Sequence, residues 1–376
     1  MFADKDLKPL EGHSFEDQSI MRKYIFLRFF KFLARVIAKV KFISPNLITF
    51  SSLAAIITSI VLLFLNPSLT GVNTKGAWLI FGSWTLFMIA DNVDGEYARL
   101  TGMCSPLGGA LDHMVDSLMY LYAGSAISLV LGCGRSATMI LILLLCTAVA
   151  SHAVQLLYFF THHLHMGKVN ASTEGIVIII VICLLRAIIG PFEQHKAALG
   201  LYIFAPFIVL PAIESLIRLF IAKHEKTKMY RLGQLMPFLI VMACSIYFFY
   251  EGAFNYYMCS DHYTCERDTL KYFPVLAVLT YGQILCFLTE RVVICSVCQY
   301  DLRQFSIPSV IMAIIPAVCM YFKLPRSQMI IVLAIETVIG FLVLFIQFFG
   351  YVFSMARVLG YPVIATFQPK EVQPLI

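Results

Sequence analysis

Ten apolar stretches fill most of this chain, at about 46–65, 76–97, 107–132, 137–160, 174–191, 199–222, 233–250, 269–294, 306–322 and 327–350. Each approaches or exceeds the length that a helix needs to cross the roughly 30 Å hydrocarbon core of a bilayer. Lipid offers no partner for backbone N–H and C=O groups, so such segments span as helices. Polar breaks separate them, among them Asn66-Pro67-Ser68, Gly190-Pro191 and Lys223 to Arg231. Of the 376 residues, 60% are hydrophobic and 13% charged. Soluble domains run at about 45–50% and about 25%. The expected fold is therefore all-α: a polytopic membrane protein with about ten transmembrane helices.

A basic segment precedes the first span. In residues 20–42, Arg22, Lys23, Arg28, Lys31, Arg35, Lys39 and Lys41 alternate with Ile25, Phe29, Phe32, Leu33 and Val36 at helical spacing. This pattern predicts an interfacial amphipathic helix lying on an anionic membrane surface. It also accounts for the net charge of +6, which then gives no reason to expect nucleic acid as a partner. The first 19 residues are polar and mixed in charge, unlike a cleavable signal peptide. Lys and Arg place the N-terminus in the cytosol. Counting forward, the loops near 99–106, 162–171, 223–231 and 295–305 are cytosolic, in accord with Lys168, Lys223, Lys226, Lys228, Arg231 and Arg303. Arg267 and Lys271 fall on the lumenal side against the trend.

Within this hydrocarbon, residues 91–116 hold four aspartates in two pairs. Asp91 and Asp94 are three apart, Asp112 and Asp116 four apart, and on helices both spacings put the two carboxylates on one face. Gly95, Ala98, Gly108 and Gly109 leave little bulk between the pairs, so two helix ends can approach until the carboxylates converge. At an effective dielectric near 20, two unit charges about 4 Å apart repel by roughly 4 kcal/mol. Divalent cations relieve that repulsion, and an all-oxygen ligand set suits Mg²⁺, Mn²⁺ or Ca²⁺ rather than zinc. Two such ions can clamp a phosphoryl group between attacking and leaving oxygens.

The spacing D-x2-D-G-x2-A-R-x8-G-x3-D-x3-D resembles the signature of the CDP-alcohol phosphotransferase family. Asp91, Asp94, Gly95, Ala98, Arg99, Gly108, Asp112 and Asp116 fill its eight fixed positions. Asp112-His113-x-x-Asp116-Ser117 resembles the D-H-x-x-D-S of the eukaryotic choline/ethanolamine phosphotransferase branch, although Met114 and Val115 stand where that branch has Gly-Cys. Ser44 to Thr49 resembles the A-P-N-x-I-T that opens its first span. Gly167 to Gly175 resembles its T-G-x(n)-E-G, with Met166 in place of the threonine.

The resemblance implies a Mg²⁺ or Mn²⁺ site, with two ions, held by Asp91, Asp94, Asp112 and Asp116. It implies substrate contacts from Asn46, Gly95, Ala98, Arg99, Gly108 and Glu174. The acceptor hydroxyl needs a base, and both Asp116 and His113 are candidates; a histidine near pKa 6.5 suits proton abstraction at neutral pH. The implied reaction transfers phosphocholine or phosphoethanolamine from CDP-choline or CDP-ethanolamine to diacylglycerol, giving phosphatidylcholine or phosphatidylethanolamine and CMP. Two alternatives stay open: another acceptor such as inositol or glycerol 3-phosphate, and a cation-coupled transporter. The implied setting is the endoplasmic reticulum or Golgi membrane, with the site facing the cytosol. The chain divides into a cytosolic segment 1–43, catalytic helices 44–191, additional helices 192–350 and a cytosolic tail 351–376. A homodimer is among the assemblies left open.

Eleven cysteines complete the inventory. Cys146, Cys183, Cys244, Cys286 and Cys319 lie in apolar runs and read as small buried hydrophobes. Cys295-x-x-Cys298 lacks the second pair that a metal site needs. Cys259 and Cys265 could pair in an oxidising lumen. Of the charges inside other spans, Glu214, Arg218, Glu290 and Glu336 read as pairing within a span, as Glu214 and Arg218 can at i, i+4, or as snorkelling at span ends, whereas Arg291, near the cytosolic end of the eighth span, reads as functional.

Overall fold

The computed structural model describes residues 14–17, 19–40, 43–65, 74–130, 137–161, 163–166, 171–190, 209–210, 212–221, 228–255, 272–298, 307–360 and 362–364. Cys259, Cys265 and Asn170 of the sequon Asn170-Ala171-Ser172 lie outside them.

The described residues form α1 (Leu27–Ile37), α2 (Pro45–Leu65), α3 (Thr74–Thr101), α4 (Pro106–Val130), α5 (Ala137–Thr161), α6 (Ile176–Ile189), α7 (212–221), α8 (Lys228–Asn255), α9 (Tyr272–Cys298), α10 (Ile307–Tyr321) and α11 (Arg326–Leu359). Ten of these coincide with the ten apolar stretches, and α1 with the basic segment. Met229–Glu251, Leu276–Ser296 and Ser327–Arg357 are long and apolar enough to cross a membrane. Pro45–Ser59, Cys146–Thr161 and Ile307–Tyr321 are shorter apolar helices. The last helix runs past residue 350, to Leu359, before Gly360 closes it in the left-handed region.

The surface fits lipid. Ile188, Ile221, Met229, Ile331, Phe345 and Ile346 are exposed, in a density of apolar groups that a water-facing surface does not carry. The interior is a shared core. α9 is almost wholly buried and packs against α4, α5 and α11, so helices from both halves of the chain enclose the same apolar cluster. α3 supplies Trp84, Phe87, Val93 and Tyr97 to it.

One small element departs from the all-helical expectation. Ser14–Asp17 and His163–Met166 pair as two short parallel strands, tying the N-terminal segment to the end of α5. Neither stretch carries a period-2 run long enough to announce a strand.

Helix α1 has three faces. Phe30 and Ala34 are buried, with Phe26, Leu33 and Ile37 beside them, and the helix packs on α3. Ile25, Phe29, Phe32 and Val36 are exposed. Arg28, Lys31 and Arg35 occupy the third face, also exposed. A helix that keeps an apolar stripe and a basic stripe outside its protein contact is shaped to lie in the headgroup layer. The expected apolar face is thus the free one, with only Leu33 partly turned inward.

Candidate active site

The site is built where α3 turns into α4. Gly102 adopts φ +68°, a conformation that a side chain disfavours. The Met103 N–H then reaches back to the Ala98 carbonyl at 2.9 Å, closing the end of α3. Ser105 opens α4: its hydroxyl accepts the Gly108 N–H at 3.0 Å, with Pro106 in the first helical position. An N-cap of this kind is worth about 1 kcal/mol. The turn is therefore short and fixed at both ends, and it sets α3 and α4 side by side with their acidic residues facing each other.

Asp91 from α3 meets Asp112 and Asp116 from α4. One carboxylate oxygen from each lies within 4.8 Å of the others, and all three residues are half-buried. The Asp112 Oδ1 is buried with no hydrogen-bond partner. A buried polar atom left unmatched is costly unless a ligand completes it. Three convergent carboxylate oxygens with one orphaned atom are the donor set that a hard divalent cation takes.

The fourth aspartate is placed differently. Asp94 is buried, and its Oδ2 accepts the hydroxyl of Thr49 from α2. It thus joins α2 to α3 one turn from Asp91, beside the three-carboxylate group. Nothing in the spacing of the aspartates pointed to Thr49. Its only signal was its place at the end of the Ser44–Thr49 motif.

Several residues expected to contact substrate lie on the same helices α2, α3 and α4. A Cβ on Gly108 would meet Asn46 Oδ1 and Ser105 Oγ at 3.2 Å, so the missing side chain is what lets α2 and α4 close up. Asn46 also donates from Nδ2 to the Val363 carbonyl at 2.8 Å, which brings the end of the chain to the same place. Ser44 caps α2 through the Leu47 N–H at 3.2 Å. The Tyr97 hydroxyl donates to the Ile43 carbonyl at 2.7 Å and holds that cap against α3. The Arg99 guanidinium folds back over Gly95, 3.4 Å from where a Cβ would stand, and pairs with Glu96 at 2.8 Å. Ala98 serves through its carbonyl, in the helix-closing bond to Met103.

His113 follows Asp112 on α4, so it points about 100° away around the helix. Its ring meets Tyr158 of α5, with centroids 5.7 Å apart and planes tilted by 56°. The histidine is half-buried, next to the acidic group but on its α5 side.

Glu174 meets the N-terminal segment. It is buried, and its Oε1 accepts the Ser19 hydroxyl at 2.7 Å and the Met21 N–H at 3.2 Å. Sequence reasoning did not anticipate that partner, which is 155 residues away.

Beyond the motif, Arg218 pairs with Glu214 at 2.6 Å, as their spacing suggests. Glu290 on α9 is wholly buried and accepts from Gln347 of α11 at 3.2 Å. One turn before it, the Cys286 thiol lies 3.8 Å from the Ser117 carbonyl, next to Asp116. The described cysteines Cys104, Cys146, Cys183, Cys244, Cys286, Cys295 and Cys319 are free thiols.

The bundle and its acidic group define an integral membrane protein with three inward carboxylates set to hold a divalent cation. Residues 42–207, which include this site, match the sequence model of the CDP-alcohol phosphatidyltransferase family. Among curated proteins, the chain is 24% identical over 310 residues to choline/ethanolaminephosphotransferase 1 of Arabidopsis thaliana, covering 75% of each chain. It is 24% identical over 319 residues to choline/ethanolaminephosphotransferase 2 of the same plant, covering 77% of each. It is also 30% identical over 178 residues to the CDP-diacylglycerol–serine O-phosphatidyltransferase of Encephalitozoon cuniculi, covering 46% of this chain and 45% of that one.

Proposed function

We propose that the chain transfers phosphocholine or phosphoethanolamine from CDP-choline or CDP-ethanolamine to diacylglycerol, releasing CMP. The observation that carries this reading is the meeting of Asp91, Asp112 and Asp116, with the orphaned Asp112 oxygen among them, inside the family-matched segment. The relatives that span three quarters of the chain carry choline/ethanolaminephosphotransferase names.

Asp91, Asp112 and Asp116 would hold Mg²⁺ or Mn²⁺, with Asp94 completing the acidic set for a second ion. The bound cations would neutralise the diphosphate and stabilise the oxygens of the displacement. The remaining work falls to the chain. Gly108 lets α2 and α4 close up, which brings Asn46 and Ser105 together beside the acidic group as candidates for nucleotide contact. Arg99 is within reach of a phosphate oxygen once it gives up Glu96. The diacylglycerol hydroxyl oxygen attacks the phosphorus that carries the amino alcohol, the bond from that phosphorus to the CMP oxygen breaks, and the hydroxyl proton goes to a base. His113 is that base in this reading. It stands beside the acidic group without being consumed as a ligand, and Tyr158 restricts its ring. Diacylglycerol would reach the site laterally from the bilayer.

The basic face of α1 favours an anionic cytosolic leaflet, in the endoplasmic reticulum or Golgi. On that topology the α3–α4 turn faces the cytosol, where nucleotide-activated substrates are made. The unit 44–191 would be the catalytic part, with 1–43, 192–350 and 351–376 supporting it.

A second reading keeps the site and changes the lipid substrate. The match to the serine transferase, at a higher identity over a shorter stretch, favours it. One assay separates the two. Purified protein in nanodiscs with Mg²⁺ or Mn²⁺ receives diacylglycerol with labelled CDP-choline or CDP-ethanolamine, or CDP-diacylglycerol with labelled serine or inositol. Labelled phospholipid and CMP in equal amounts from a CDP-amino alcohol are expected. Product only from CDP-diacylglycerol would replace the proposed reaction with the second.

A further inference from the structure

Three buried polar side chains outside the acidic group share one level of the bundle. His152 and Gln155 of α5 and Gln234 of α8 are each more than nine-tenths buried. Among the described residues, His152 Nε2, Gln155 Oε1 and Gln234 Nε2 have no hydrogen-bond partner. Buried polar atoms are seldom left unmatched, and hydrocarbon offers them nothing. The packing of α5 on α8 brings the three together. The His152 ring stacks on Phe238 of α8, with centroids 4.0 Å apart and planes 8° from parallel. Further along α5, Phe160 meets the Tyr230 ring at 6.2 Å and the Arg231 guanidinium at 5.8 Å. The helices are thus antiparallel, and the register between these contacts sets Gln155 level with Gln234 and Leu235.

Their neighbours fix what these groups can bind. Thr289 of α9 gives its hydroxyl proton to the Leu285 carbonyl at 2.9 Å, so at 3.2 Å it accepts from His152 Nδ1. Nε2 of the neutral ring is then a bare acceptor. Each glutamine amide presents a donor or an acceptor according to how it is turned. The charged side chains next to Thr289 and near Gln234 engage other groups: Glu290 accepts from Gln347, and Arg231 donates to the Leu219 carbonyl. What completes such a set is uncharged and both donates and accepts, which describes a hydroxyl group. The surroundings are apolar, with Leu156, Leu157, Leu235 and Val292 in one cluster. Toward lipid, Leu232, Met236 and Leu239 on the opposite side of α8 are exposed. Toward the acidic group, Cys286, one turn before Thr289, lies 3.8 Å from the Ser117 carbonyl, and Tyr158, one turn beyond Gln155, packs on His113.

We propose that His152, Gln155 and Gln234 form a docking site for the free hydroxyl of a lipid alcohol that enters from the bilayer past α8. That the alcohol is diacylglycerol rests on the CDP-amino alcohol reading above. The hydroxyl donates to His152 Nε2 and accepts from a glutamine amide, in a waiting position between the lipid and the acidic group. A site built to hydrogen-bond a hydroxyl rejects molecules that lack one, because its polar atoms are then left unpaired. It selects diacylglycerol from the surrounding phosphatidylcholine and phosphatidylethanolamine, which carry no hydroxyl, and does not retain the product.

The test uses the full chain in nanodiscs, with diacylglycerol varied at saturating Mg²⁺ and CDP-amino alcohol. Gln155→Leu and Gln234→Leu should each raise KM for diacylglycerol about three- to tenfold, the size of one neutral hydrogen bond, with little change in KM for the CDP-amino alcohol. His152→Asn, which keeps a donor toward Thr289 and removes the Nε2 acceptor, should do the same. Thermal unfolding of the leucine variants should stay level or move upward, since an orphaned amide becomes hydrocarbon, whereas a packing role predicts a fall. Labelling by a photoactivatable diacylglycerol, without nucleotide or metal, reads the site apart from turnover. Excess diacylglycerol should suppress label on α5 and α8, an analogue with its hydroxyl methylated should not, and Gln234→Leu should erase that difference. An unchanged KM for diacylglycerol in all three variants, with wild-type turnover intact, overturns this inference alone. So does equal competition by the methylated analogue in the wild type, which would leave only water at these atoms. Hydroxyl-dependent labelling of a protein that turns over no CDP-amino alcohol supports the site and sinks the functional reading instead.

Discussion

Asp112→Asn is expected to lower phosphotransfer by about 10²–10³-fold, the scale seen when a charge-stabilising group is removed from a reaction centre. The substitution keeps the shape of the side chain and removes the charge. It leaves Asp91 and Asp116 to face each other with a carboxamide where the orphaned Oδ1 now sits. The same change should not weaken the fold in the absence of metal. At separations within 4.8 Å and an effective dielectric near 20, each ionised carboxylate pair repels by at least roughly 3.5 kcal/mol. Removing one charge relieves part of that, so thermal unfolding of the metal-free protein should stay level or move upward. Mn²⁺ should raise the unfolding temperature of the wild type by mass action and leave that of Asp112→Asn unmoved. Turnover near the wild-type rate in this variant, at saturating Mg²⁺, would remove the three-carboxylate group from the reaction.

His113→Ala should lower kcat by about 10²–10⁴, the usual contribution of a general base, with little change in KM for the nucleotide. The reason is positional. His113 follows Asp112 on α4, its ring packs against Tyr158 of α5, and it is not one of the three carboxylates that would hold the cation. Loss of a ligand would weaken metal binding, whereas loss of a base would not. Mn²⁺ titration by electron paramagnetic resonance separates the two. Unchanged Mn²⁺ affinity with a large fall in kcat supports His113 as the base. A fall of less than about threefold returns it to packing and leaves Asp116 with that role.

Much of this architecture was legible because it is local. A hydrophobic run of membrane length reads directly as a helix, and each of the ten runs contains a helix among the described residues, although the last extends to Leu359. The i, i+4 spacing of Asp112 and Asp116 foretold a shared face, and both meet Asp91, while Asp94 turns to Thr49. What the sequence did not disclose is long-range. Thr49 reaches Asp94 across two helices. Glu174 meets Ser19 from 155 residues away, and Glu290 meets Gln347 across 57. No periodicity marks such pairs, since each depends on how whole helices pack. Glu174 illustrates the difference. Its motif suggested a substrate contact, while its hydrogen bonds tie down the N-terminal segment. The short strand pairing of Ser14–Asp17 with His163–Met166 was silent for the same reason.

The central claim is that the acidic group of α3 and α4 performs CMP-linked phosphotransfer, and running the reaction backwards tests it most directly. Purified protein in vesicles of phosphatidylcholine and phosphatidylethanolamine is given CMP with Mg²⁺ or Mn²⁺, and diacylglycerol and CDP-alcohol are measured. Diacylglycerol and a CDP-amino alcohol should form in equal amounts, only with CMP and a divalent cation, and not with Asp112→Asn. Protein that binds Mn²⁺ at this site yet yields no diacylglycerol from CMP under any of these conditions would contradict the account, and would leave a cation site that serves transport instead of transfer.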